Sequence, residues 1–165
     1  VAVYASDVNG DGITELPRAV LMAGYKDTSS SDAVYMLDWY AYGIGKVPAK
    51  VATTYQNISD AWSLLIDQKW HDRITAIKAN DGGLSYVEFF EYRKNKMSIP
   101  LFNIYCATGS NREYYAERTD LIQLGQTTQA IYFAKLTNEG EQSELALTGD
   151  EIKARFSLVN QAWNN

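Results

Sequence analysis

The sequence is poor in the residues that usually build a catalytic or disulfide-bonded domain. Its 165 residues contain one cysteine, Cys106, and one histidine, His71. A single cysteine excludes an internal disulfide framework, and its position in the apolar run PLFNIYCAT favours a thiol that packs as a small hydrophobe. A Cys-His nucleophile would require these two residues to meet, and nothing in the sequence indicates that they do.

A surplus of positive charge is also missing. The chain has 15 Lys and Arg against 20 Asp and Glu, a net charge of -5. Nucleic acid or an anionic membrane surface would favour a clustered basic face, so we expect neither as a partner.

No apolar run reaches the roughly 20 residues that span a bilayer. The start, VAVYASDVNG, lacks a signal peptide's basic and apolar regions, and without an initiator Met it suggests a mature or excised fragment.

Common catalytic patterns are absent as well. There is no G-x-S-x-G elbow, no suitably placed S-x-x-K and no phosphate-binding G-x-x-x-x-G-K. His71 and Asp72 are adjacent, and adjacent side chains of a strand point to opposite faces, so no relay is expected. Glu88 and Glu91 would also lie on opposite faces of a strand, whereas glycosidase carboxyls face each other about 5 to 10 Å apart. We therefore predict a non-enzymatic protein with no catalytic residue and no organic cofactor.

The first third of the chain has the pattern of antiparallel strands. Apolar runs at residues 1–5 and 16–22 flank the polar stretch DVNGDGITEL, which predicts a β-hairpin closed by that stretch. The run AVYMLDWYAYGIGKVPAKVATTYQN predicts a second hairpin around GIG. We interpret residues 1–57 as a β-hairpin region.

From residue 58 the pattern predicts an α+β domain, residues 58–165. A short helical or irregular segment, SDAWSLLIDQKW, precedes three strands in a meander: DRITAIKA, LSYVEFFEYR and SIPLFNIYCA. The turn NDGG supplies the positive φ angles of a tight hairpin. Two further strands, TDLIQLGQ and QAIYFAKLT, follow. The predicted fold class is α+β, with antiparallel hairpins followed by a mainly antiparallel sheet that two helices cover.

Capping-box spacing marks the two predicted helices. Ser110 and Glu113 begin the first, and Thr148 and Glu151 begin the second. The second helix is predicted to continue along the chain, because apolar residues recur at helical intervals at Ile152, Phe156 and Val159.

The stretch DVNGDGITEL has the residue spacing of a calcium loop. Calcium takes six to eight hard oxygen ligands, and a loop provides them by turning every second side chain inward. Gly12 suits the sharp turn after the third ligand. The predicted ligands are the side chains of Asp7, Asn9, Asp11 and Glu15 and the backbone carbonyl of Ile13.

Two other kinds of loop could carry these residues. A helix-loop-helix calcium site needs a bidentate Glu at its twelfth position, which counting from Asp7 is Arg18, and Pro17 is awkward inside a helix. That site is excluded. A polar turn without an ion stays open, because Asp, Asn and Gly favour turns for local backbone reasons. Three carboxylates within nine residues would nonetheless repel each other without a cation.

The stretch resembles the calcium loop of FG-GAP or VCBS-type repeats, similar to that of integrin α-subunit propellers. Those loops carry acidic or amide residues at positions one, three and five, Gly at six and an acid at nine, between two β-strands. The resemblance covers about 20 residues in a single copy. Because a propeller needs several blades to close its ring, residues 1–57 represent at most one partial blade.

Two other segments, TTYQNISDAWSLLIDQKWHDRIT and SELALTGDEIKARFSL, resemble the carboxyl-terminal region of uncharacterised surface lipoproteins of Gram-positive bacteria. The resemblance implies an extracellular, cell-surface location and no known chemistry. Extracellular calcium modules bind their ion with dissociation constants of about 0.1 to 1 mM, which suits that location. Our leading hypothesis is a non-enzymatic extracellular module with a structural calcium ion.

Aromatic residues in the second predicted hairpin support an alternative. Tyr and Trp are favoured where one end of a side chain stays in water, so an exposed set near Trp39 would form a platform for a cell-surface glycan or peptide. The residues concerned are Tyr35, Trp39, Tyr40, Tyr42 and Tyr55.

Overall fold

The computed structural model describes residues 3–25, 33–81, 83–110 and 112–159, which build two five-stranded sheets with antiparallel neighbours. The first sheet has the order β1 (Leu16–Leu21), β2 (Tyr35–Ala41), β3 (Ala49–Asn57), β4 (Trp62–Leu65) and β10 (Phe156–Leu158). The second has the order β5 (Ile74–Asp81), β6 (Leu84–Arg93), β7 (Lys96–Thr108), β9 (Ala130–Leu136) and β8 (Ile122–Gln126). The predicted meander is therefore confirmed as β5, β6 and β7.

Helices are few and short in the described part of the chain. They are α1 (Arg112–Ala116), α2 (Asn138–Glu141) and α3 (Gly149–Arg155), with a 3-10 turn at Gln68–Trp70. The predicted α+β class with mainly antiparallel sheets is confirmed at this level, although three helices replace the expected two. The capping box of Thr148 and Glu151 is present at the start of α3.

One hydrophobic core contains side chains from both sheets. The Tyr55 ring of β3 meets the Phe89 ring of β6 edge-on, with ring centroids 5.4 Å apart. Trp70 is fully buried, and its Nε1 donates to the Leu145 carbonyl at 3.0 Å. Burial of these large apolar side chains is the main favourable term in folding. The division of the chain at residue 57 stays a prediction, and the core includes side chains from both sides of that residue.

Three local predictions were wrong. In the described part of the chain, residues 3–5 are not a strand and the first hairpin is reduced to one isolated bridge between Ser6 and Glu15. Residues 1 and 2 of the predicted strand lie outside that part. The segment predicted as helical or irregular contains strand β4, because Trp62 and Leu64 are buried at a spacing of two. Phe156 does not continue α3: it begins β10, pairs with Leu64 and stacks its ring on Trp62 at 5.9 Å.

A buried carboxylate links distant segments at the end of β6. Glu91 is fully buried on the same face of the strand as Val87 and Phe89. Its Oε1 forms ion pairs with Arg93 and with Arg73, the latter at 3.7 Å, and its Oε2 accepts from Ser143 Oγ at 2.8 Å. A buried charge needs partners of this kind to remain ionised.

Glu88 lies on the other face of β6, as strand alternation predicted. Its carboxylate accepts from Asn103 of the neighbouring strand β7 at 3.3 Å. The two acids of this strand are therefore not a facing pair.

Candidate metal centre

The polar stretch before β1 is a tight loop organised around Asp7. Asp7 Oδ1 accepts from the backbone N–H of Gly10 at 2.7 Å and of Asp11 at 3.2 Å, and Oδ2 accepts from Gly12 at 2.8 Å. Gly10 and Gly12 have φ values of +76° and +83°, which glycine adopts without steric cost. The predicted turn at Gly12 is therefore present.

The loop backbone favours the ionised form of Asp7. The hydrogen bond from the Gly12 N–H is the largest cause of a lowered pKa of Asp7. Desolvation opposes it, and the hydrogen bonds from Gly10 and Asp11 add to the lowering. A carboxylate that accepts several backbone N–H groups is stabilised in its charged state. Asp7 is thus an anion throughout the neutral pH range.

Asn9 and Asp11 face each other across the loop. Asn9 Oδ1 accepts from the Asp11 N–H at 3.1 Å, and Asn9 Nδ2 donates to Asp11 Oδ2 at 2.9 Å. Asp11 Oδ1 accepts from the Ile13 N–H at 2.8 Å. The ligand role of the Ile13 carbonyl stays a prediction.

Glu15 differs from the other three predicted side-chain ligands because it is fully buried. Its backbone exchanges two hydrogen bonds with Ser6, at 3.1 and 2.9 Å. Its Oε2 accepts from the Val8 N–H at 3.0 Å, which places the carboxylate against the start of the loop. Its Oε1 has no hydrogen-bond partner among the described residues.

The donor set fits a hard cation in its chemistry. Each carboxylate or amide oxygen has two lone pairs, and the contacts above leave acceptor capacity on Asp7, Asn9, Asp11 and above all Glu15. The side chains are not gathered around one point, however. In the described ranges no group of three or more His, Cys, Asp or Glu side chains is arranged to hold a metal ion.

The structure corrects two expectations about other side chains. His71 and Asp72 follow the 3-10 turn instead of lying on a strand, and His71 Nδ1 is 3.2 Å from Asp72 Oδ2. Trp39 is not exposed: it is 99% buried, and its Nε1 donates to Thr54 Oγ1 at 2.9 Å. Sequence alternation could not reveal this, because both faces of β2 are largely buried.

Cys106 is buried as predicted. Burial is the main cause that raises the pKa of its thiol, to about 11. A thiol that stays protonated at neutral pH is a poor nucleophile, which agrees with a packing role.

Neither a search for a membrane-spanning helix nor comparison with known proteins assigns a role to this site. No helix in the described ranges is long and apolar enough to cross a membrane. No protein-family model matches the chain, and neither a curated protein nor a solved structure matches it.

Proposed function

We propose that the loop from Asp7 to Glu15 binds one calcium ion that stabilises a non-enzymatic, extracellular module of a bacterial surface protein. The observation that carries the proposal is the Oε1 of the buried Glu15, for which the residues that the structure describes provide no hydrogen-bond partner. A buried carboxylate oxygen without a donor costs several kcal/mol of desolvation. A bound cation would offset that cost.

The loop suits calcium better than smaller or softer ions. Asp7, Asn9, Asp11 and Glu15 supply only oxygen, and calcium tolerates irregular shells of such ligands, whereas magnesium requires near-ideal octahedral geometry. The absence of Cys and His from the loop disfavours zinc. When bound, the ion would supply charge neutralisation that draws the four side chains together.

The position of the loop gives the ion a structural role. Glu15 directly precedes β1, which is an edge strand of the first sheet in the described part of the chain. Holding Ser6 and Glu15 together would fix the entry to β1 and its pairing with β2. An affinity of about 0.1 to 1 mM would keep the site filled outside the cell and empty inside.

Calcium titration of EDTA-treated protein tests the proposal. We expect calorimetry to show saturable binding with one ion per chain. At 10 mM calcium the gain in unfolding free energy should be about 1.4 to 2.7 kcal/mol for dissociation constants of about 1 to 0.1 mM. Absence of both heat and thermal shift would reduce the loop to a polar turn.

A charge-removing variant sharpens this test. Glu15→Gln should abolish the calcium response but leave the calcium-free protein equally or more stable, because a neutral amide costs less to bury than a carboxylate. Asp11→Ala should lower stability in calcium more than in EDTA. Glu139→Gln, an exposed position on α2, is the control and should respond to calcium like the unmodified protein. Equal destabilisation by Asp11→Ala in both buffers would favour a purely local turn.

The alternative function, binding of a glycan or peptide, would use a surface other than the one predicted around Trp39. The loop between β2 and β3, residues 42–48, is exposed, with Tyr42 at 57%, Ile44 at 106% and Val47 at 89% accessibility. Exposed apolar clusters often mark contact sites, so this hairpin tip would be where a glycan or peptide binds.

The hairpin tip has its own test. Binding on a glycan or peptide array that is lost in Tyr42→Ser, with unchanged thermal stability, would support the alternative. Retained binding in that variant would place the contact elsewhere.

A further inference from the structure

The outer face of the second sheet carries a cleft that the sequence did not indicate. It lies where α1 and the segment after it cover β7 and β9, and its volume is about 150 Å³. We call it the α1 cleft. Its lining is formed by Leu84, Tyr105, Tyr115, Leu121 and Phe133, with Arg118 and Lys135 beside them.

The floor of the α1 cleft is apolar and firmly held. Phe133 is 99% buried and packs with Ala107 and Ile131 in a small separate cluster under the helix. Tyr105 is fixed from the side, because its ring lies 5.3 Å from the Tyr86 ring and its Oη accepts from Asn103 Nδ2 at 2.9 Å. A volume of about 150 Å³ is large enough for one benzene ring.

The mouth of the α1 cleft carries a surplus of positive charge. Arg118 holds Asp120 through two bonds, Nε to Oδ1 at 2.9 Å and Nη2 to Oδ2 at 2.6 Å. Lys135 approaches the same carboxylate less closely, at 3.5 Å. Two cations therefore face one carboxylate, on a chain whose net charge is -5. The hydrogen bonds from Arg118 keep the pKa of Asp120 at about 2, so its charge persists at neutral pH.

We propose that the α1 cleft binds a small aromatic carboxylate, with the ring against the half-buried Tyr105 and Leu121 and the carboxylate at Lys135 and Arg118. The ring accounts for the size and apolar walls of the cleft. The carboxylate accounts for the two cations that share the single carboxylate of Asp120, because a second anion there gains a charge-assisted hydrogen bond. Glu88 lies on the same face of the sheet, and its carboxylate accepts a hydrogen bond from Asn103 Nδ2 at 3.3 Å.

Titration with three probes, followed by amide chemical shifts in the presence of EDTA, tests this proposal. Phenylacetate should move resonances of β7, β9 and α1 with a dissociation constant on the order of millimolar, as expected for about ten heavy atoms. Phenylacetamide, which keeps the ring but not the charge, should bind at least several-fold more weakly. Acetate, which keeps only the charge, should leave these resonances unmoved.

Two variants with opposite expected effects separate binding from misfolding. Lys135→Met should weaken phenylacetate binding at least threefold, because one cation is lost. Asp120→Asn should strengthen it at least threefold, because the internal competitor for both cations is neutralised. Lys153→Met, an exposed lysine of α3, is the matched control and should change nothing.

Two results would overturn the proposal. One is the absence of shifts at these strands up to about 20 mM phenylacetate, well above the expected constant. The other is equal affinity for phenylacetate and phenylacetamide together with no gain in Asp120→Asn. Because the probes are used in EDTA and the cleft lies in the second sheet, neither result depends on calcium binding at the loop.

Discussion

Replacing Trp62 with alanine is expected to lower the free energy of unfolding by about 3–5 kcal/mol, the largest effect of any substitution considered. Trp62 is fully buried in β4. Its ring centroid lies 5.4 Å from that of Tyr55 and 5.9 Å from that of Phe156, on which it stacks. The side chain thus joins β3, β4 and β10. Alanine would leave a cavity among these rings and loosen the attachment of β10.

Urea denaturation of matched variants measures this effect. Trp62→Phe should cost much less, because a ring is kept and the indole N–H has no hydrogen-bond partner among the described residues. Leu65→Ala, on the same strand but 41% exposed, is the surface control and should cost about 1 kcal/mol or less. A loss below about 1 kcal/mol for Trp62→Ala would contradict the packing described here.

Replacing Glu91 with alanine is expected to cost about 3 kcal/mol, because it removes the common partner of a buried ionic network. Arg73 and Arg93 would each lose this carboxylate, and Ser143 Oγ would lose its acceptor. Both arginines are partly exposed, so water can solvate them, which keeps the cost below that of stranding a buried charge. Glu88→Ala on the other face of β6 is the control and should cost far less.

The pH dependence of the unfolding free energy depends on the same network around Glu91. Burial by itself would raise the pKa of Glu91, but hydrogen bonds from Arg93 and Ser143 and the charges of Arg93 and Arg73 lower it below the ordinary value. A lowered folded-state pKa stabilises the protein above the unfolded-state pKa, and that stability is lost as pH falls through the folded-state value.

Denaturation between neutral and acid pH, compared with Glu91→Gln, isolates this contribution. The unmodified protein should lose more stability on acidification than the variant. Parallel pH profiles of the two proteins would show that folding does not shift the pKa of Glu91 and would contradict this network.

The sequence predicted secondary structure correctly where the local residue pattern alone specifies it. The meander β5–β6–β7 follows from three β-rich runs, and the capping box of α3 follows from the spacing of Thr148 and Glu151. Prediction failed where a distant partner decided the outcome. Phe156 fits a helical period, but it extends into β10 because it pairs with Leu64 and stacks on Trp62.

The tight turn of the polar loop was predictable because its hydrogen bonds are local, whereas its role as a metal site stays a prediction. Asp7 and Gly12 are five residues apart, so the hydrogen bond that joins them forms between near neighbours in the chain. The burial of Glu15 was not predictable, since a charged residue is seldom buried without partners. The burial of Trp39 was missed for a related reason, because alternation along β2 does not show that both faces are covered.

The sequence by itself determined the local features: the β5–β6–β7 meander, the tight polar loop with its oxygen-bearing side chains, and the start of α3. These depend on side-chain periodicity and on hydrogen bonds between near neighbours. Tertiary structure alone decided which polar groups are buried and which cations face a cavity. Glu91 meets Ser143, 52 residues away, and Lys135 meets the α1 cleft, because sheet pairing brings distant segments together in a way that no local pattern specifies.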